Sequence, residues 1–126
     1  MDTLSKHDLQ QFEEAFCPYY QQAVELIGRK WTGVILRAQL HGILRFSELK
    51  AAIPALSDRM LSERLKELEA EGLVVRRVIP DTPVRVEYLL TAKCRALGAV
   101  VEVISSWADQ WLKHTPGAGR AATGEV

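Results

Sequence analysis

The apolar residues of this chain change period near residue 73, and that change limits the folds open to it. Upstream, Leu61, Leu65 and Leu68 recur at i, i+4 and i+7, the stripe of an amphipathic helix. Gly72 closes that helix. Leu73 to Ile79 is then rich in Val and Ile, and Val84, Val86, Tyr88 and Leu90 alternate with Arg85, Glu87 and Leu89. Period two on both sides of Pro80-Asp81-Thr82-Pro83 predicts a β-hairpin over 73–91 with a turn of about four residues. The expected fold class is mainly α with a small β-hairpin (α+β).

Helix signals surround the hairpin. Ser5 and Asp8 fit a capping box for a first helix of about 5–16, with Leu9, Phe12 and Phe16 at helical spacing. Pro18 suits the first turn of a second helix that runs to about Ile27. A third covers Trp31 to Leu40 and stops at Gly42, followed by an extended link, Ile43 to Arg45. Phe46 and Ser47 read as a hydrophobic entry residue and an N-cap, so a fourth helix is expected from Glu48 to about Ile53. After the tight turn Pro54-Ala55-Leu56, Ser57 caps a fifth helix, Asp58 to Glu71. Thr91 caps a long final helix, Ala92 to about Lys113. The expected organisation is one domain over 1–114 and a disordered tail over 115–126.

Two short helices joined by a tight turn and followed by a hairpin is the order of a winged helix-turn-helix domain, here about 47–72 plus the wing. Its fifth helix would enter the major groove of DNA. Opposite the leucine stripe this helix carries Arg59, Glu63 and Lys66, flanked by Met60 and Ser62. Arginine pairs with guanine through two hydrogen bonds and glutamate accepts from cytosine, so Arg59, Ser62 and Glu63 are placed to read bases. Ser47, Ser57 and Lys66 are assigned to the DNA-facing side, the last two to phosphates. Arg76, Arg77 and Arg85 charge the wing, and Arg77 and Arg85 are the expected contacts to backbone or minor groove.

Net charge first argues against this. The 126 residues hold 16 Lys+Arg and 16 Asp+Glu, whereas DNA-binding domains are usually basic. By region, however, the charge is −4 over 1–27, +5 over 28–95 and −1 over 96–126. The surplus lies on the segment with the reading helix and wing, and the balance implies modest, salt-sensitive nonspecific affinity.

The blocks Cys17-Pro18, Gly28-Arg29-Lys30-Trp31-Thr32, Leu40-His41-Gly42, Arg45-Phe46-Ser47-Glu48-Leu49, Leu56 to Leu65, Leu68 to Leu73 and Pro83 to Thr91 closely resemble the HxlR-type winged helix-turn-helix regulators. The resemblance spans about 16–112. It implies a homodimeric bacterial transcription factor, often autoregulatory or acting on a neighbouring operon. Two positions depart from the family pattern: Cys94 stands where Gly is usual, and Arg29 where a second Gly is common. Some members use the cysteine at the Cys17 position as a redox or electrophile switch.

The final helix also points to a dimer. Leu97, Val100, Val101, Ile104, Trp107, Ala108 and Trp111 form a wide apolar stripe that a small domain has little core to cover. A partner subunit would cover it, with Leu9, Phe12 and Phe16 joining, and its two-fold symmetry would match a palindromic operator. Cys17 precedes a helix start, where the positive end favours thiolate, which makes it the candidate sensor. The alternative is a small buried residue at the dimer seam. A small molecule near Trp31, Trp107 and Trp111 is a second candidate signal.

Other classes find little support. His7, His41 and His114 are scattered, without metal-ligand spacing, so neither metal nor cofactor is expected. Gly117-Ala118-Gly119-Arg120-Ala121-Ala122 matches a dinucleotide fingerprint in letters but follows Pro116 rather than a strand. No apolar run reaches a membrane span, and the first residues lack signal-peptide character, so the expected location is cytoplasmic. A winged-helix module that binds proteins without reading DNA is the competing class.

Overall fold

In the computed structural model, residues 5–113 are described, apart from the side chains of Phe12, Glu13 and Glu14. The expected tail lies outside them. The chain divides into two compact units, Met1–Gly33 and Val34–Val126.

The first unit begins with α1 (Lys6–Ala15). The Ser5–Asp8 box closes as expected: the Asp8 amide donates to Ser5 Oγ at 3.1 Å, and the Ser5 amide donates to Asp8 Oδ2 at 3.2 Å. Next, α2 (Pro18–Gly28) starts with Pro18 at its first position. Cys17 is its N-cap, and its sulfur accepts the Tyr20 amide at 3.5 Å. No residue of α2 is buried. Trp31 has a positive φ of 74°, so α3 begins at Thr32 rather than at Trp31.

Most of α3 (Thr32–Leu40) lies in the second unit, where it ends in a Schellman turn. Gly42 takes φ +97°, its amide donates to Gln39 at 2.9 Å, and the Ile43 amide donates to Ala38 at 3.1 Å. The link then does more than expected. Leu44 accepts the Tyr88 amide at 2.9 Å, and Arg45 forms an antiparallel bridge with Glu87. This extended backbone carries on to Arg45, which caps α4 (Phe46–Ala52). Ser47 is therefore not the N-cap; it lies inside the first turn, because the helix starts two residues earlier than the side chains suggest.

After the turn, α5 (Asp58–Ala70) opens on Ser57, whose Oγ accepts the Met60 amide at 3.1 Å. Lys50 holds the turn between α4 and α5 by donating to the carbonyls of Pro54 (3.2 Å) and Leu56 (2.5 Å). Leu61, Leu65 and Leu68 are fully buried with Leu49, Leu56, Ile35 and Leu36, which makes the leucine stripe the centre of the core. A second Schellman turn ends α5: Gly72 has φ +74°, and the Leu73 amide donates to Leu68 at 2.9 Å.

The hairpin pairs β1 (Val74–Ile79) with β2 (Arg85–Leu90), antiparallel, from Val74 opposite Leu90 to Ile79 opposite Arg85. Val84 lies in the connection, so the turn is one residue longer than expected. The Thr82–Pro83 peptide is cis.

The single long C-terminal helix is not found. Thr91 caps α6 (Ala92–Arg95), the ladder breaks at Ala96–Leu97, α7 (Gly98–Ala108) follows, and a π-helical turn covers Asp109–Lys113. Ala96 and Leu97 keep helical dihedrals, but Leu97 donates to Cys94 three residues back, a tighter turn that interrupts the ladder. Arg37 Nε donates to Ser105 Oγ at 3.1 Å, which ties α3 to α7.

Candidate nucleic-acid interface

Helix α5 offers two faces of opposite character. Its leucines face inward, so Arg59, Glu63 and Lys66 must face out. Arg59 is 90% exposed and pairs with Glu63 one turn on, Nε to Oε1 at 3.2 Å. An exposed pair at this spacing is worth only about 0.3–0.5 kcal/mol, so it orients Arg59 without holding it from another acceptor. Ser57 uses its lone pair on the Met60 amide, which leaves the hydroxyl proton able to reach an anionic oxygen. Met60 and Ser62 are half-buried at the edges of this face.

Beside α5, the first turn of α4 and the wing enclose an open cleft of about 630 Å³. It brings together Ser47, Ser62 and Arg85 from the expected set and adds Arg45, Arg76 and Tyr88. Asp81, Thr82 and Pro83 of the wing tip complete its rim. Arg85 Nε is buried without a hydrogen-bond partner and lies 3.7 Å from Asp81 Oδ2. Arg77 is not in the cleft. On β1 it alternates with Arg76, so it lies on the other face of the strand, the face it shares with Glu87 and Arg85; Arg85 lines the cleft beside the wing tip.

On that second face Arg77 lies directly across from Glu87, Nη2 to Oε1 at 2.8 Å. Arg45 Nε approaches the other carboxylate oxygen at 3.9 Å, and Glu48 at the same distance. The hydrogen bond from Arg77 lowers the Glu87 pKa, and the charges of Arg77, Arg85 and Arg45 add to it against desolvation. Arg45 and Glu87 were not singled out in the sequence. The only local signal is that Glu87 alternates in phase with Arg85.

The residues expected at a subunit interface divide. Val101 is core at 7% exposure, so it belongs to its own protomer's interior. Leu97 and Ala108 are half-buried. Val100, Ile104, Trp107 and Trp111 are 44–56% exposed, and Val103, which the stripe did not include, reaches 69%. In the first unit Leu9 and Phe16 are about half exposed, at 46% and 47%. The Phe12 side chain lies outside the described residues. Both cysteines are free, Cys17 exposed and Cys94 buried. Burial pushes the Cys94 thiol pKa up. Among the described residues no cluster of His, Cys, Asp or Glu is placed to hold a metal, and no helix is long and apolar enough to cross a membrane.

Helices α4 and α5 joined by a clamped turn, with a basic hairpin beside them, define a winged helix-turn-helix DNA-binding protein. The comparisons with known proteins narrow this. Residues 26–116 match the HxlR-like helix-turn-helix family, and the chain belongs to it. It is 50% identical over 100 residues to the HTH-type transcriptional regulator YvaP of Bacillus subtilis, covering 79% of this chain and 93% of that one. The reduced form of the B. subtilis regulator YodB superposes with a TM-score of 0.69 at 44% identity, over 79% of this chain and 98% of YodB. The oxidized redox regulator HypR gives 0.68 at 36%, over 75% and 96%. YodB is also known in diamide-treated and quinone-bound forms. The chain is thus a helix-turn-helix transcriptional regulator, in a family of regulators rather than enzymes.

Proposed function

We propose that the protein is a homodimer that reads a palindromic operator with one α5 in each of two successive major grooves, ~34–36 Å apart. The exposed, polar N-terminal half of α5, flanked by wing arginines, carries this reading. Arg59, Ser62 and Glu63, with Met60 beside them, meet base edges. Ser57 and Lys66 hold phosphates, Ser47 lies on the same DNA-facing side, and Arg77 and Arg85 reach the backbone or minor groove. The exposed residues of α7 form a subunit interface, and Leu9 and Phe16 of α1 offer apolar contacts of their own to a partner.

The signal is oxidation or alkylation of Cys17, which changes the dimer geometry and so the spacing of the two reading helices. Support comes from the exposed position of Cys17 at the start of α2, and from the oxidant- and quinone-treated forms of YodB.

Mobility shift on the promoter DNA beside its own gene tests both parts. Wild type should retard that DNA more strongly than random duplex, and Arg59→Ala should cost about 1–3 kcal/mol of the operator affinity. Diamide or a quinone should release wild type and leave Cys17→Ser bound. Equal affinity for promoter and random duplex at moderate salt sinks the operator reading. Equal response of Cys17→Ser and wild type sinks the cysteine signal and favours a small apolar effector.

A further inference from the structure

We propose that Glu87 is an internal counter-ion for the wing, occupying the arginines that would otherwise hold DNA phosphates. The inference rests on the DNA-reading function above. The link residue Arg45, Glu87 on β2 and Arg77 on β1 form one row across three paired segments. The two carboxylate oxygens face different arginines, Oε1 to Arg77 at 2.8 Å and Oε2 to Arg45 at 3.9 Å. Arg85 stands two residues earlier on the same strand face.

Exposure distinguishes the partners. Glu87 is only 15% exposed, whereas Arg77, Arg45 and Arg85 are 56%, 40% and 34% exposed. The acid is shielded while the guanidinium groups of Arg77 and Arg45 remain open to an incoming anion. A phosphate diester presents the same kind of acceptor as the carboxylate and must displace it from at least one arginine. Arg45 also has Glu48 nearby and Arg85 has Asp81, but Glu87 is the carboxylate that two arginines share. The row therefore carries one positive charge toward DNA instead of two, which weakens the phosphate-dependent part of binding.

The test is fluorescence anisotropy of the full chain on a labelled random duplex over a salt series, with a thermal melt of each variant. Glu87→Gln should bind roughly threefold to tenfold tighter at low salt, with the salt slope steeper by about one. Adding Arg77→Gln should erase that gain, since the released guanidinium is its source. Glu87→Asp keeps the charge and withdraws the carboxylate, so it should also bind tighter, by less. It carries the test if Glu87→Gln does not fold. Unchanged or weaker binding by the folded variants overturns the proposal, as does a gain that survives Arg77→Gln. Wild type that binds no duplex overturns the DNA reading as well. Wild type that binds while the variants match it overturns the counter-ion alone.

Discussion

At the scale of single residues, Glu87 gives the fold an acid-sensitive point. Its pKa lies below the ordinary 4.5, chiefly through the Arg77 hydrogen bond. A carboxyl with a depressed folded-state pKa stabilises above its unfolded value, and that stabilisation is lost as pH falls through the folded one. Wild type should therefore lose more of its melting temperature than Glu87→Gln when taken from pH 6 to about pH 3. Parallel acid profiles would remove the ion pair from the stability account. The two cysteines differ in the same way. Iodoacetamide should label Cys17 in the native protein and Cys94 only after unfolding, because Cys94 is fully buried and its thiol is held neutral. Fast native labelling of Cys94 would contradict its place in the core.

Among the elements, α5 depends on both of its ends. Gly72 sits at φ +74° with nothing within 4 Å of the position a Cβ would take. Gly72→Ala should thus cost about 1 kcal/mol through backbone strain alone, measured by urea unfolding. Ser57→Ala should cost about 0.5–2 kcal/mol, as for other N-caps. These ends were legible in the sequence because a cap and its partner lie within a few residues, as at Ser5 and Thr91 too. Cys17 as a helix start and the Leu61–Leu65–Leu68 core were legible for the same reason. Ser47 misled because a serine beside a hydrophobic residue imitates a cap; the true helix start is set by Arg45, paired to a strand far along the chain. The Arg45–Glu87–Arg77 row was hidden for that reason, since periodicity gives a strand's face but not its neighbour. The break at Ala96–Leu97 lies in good helix formers, and its one local trace is Gly98 just after it.

For the molecule as a whole, the open side of α7 is the feature a lone chain does not satisfy. Val100, Val103, Ile104 and Trp107 are all substantially exposed and lie on one helical face. Trp107→Asp should give a monomer by analytical ultracentrifugation and abolish retention of a two-site operator fragment while α5 stays folded. A dimer that survives this change would place the interface elsewhere. Lys93 donates to the Glu71 carbonyl at 2.5 Å, and Thr91 Oγ1 to the Gly72 carbonyl at 2.7 Å. The C-terminal cap of α5 is thereby tied to the start of α6, at the two ends of the hairpin. Neither end can fray without the other, so their amides should exchange with deuterium at matching rates, as one opening unit.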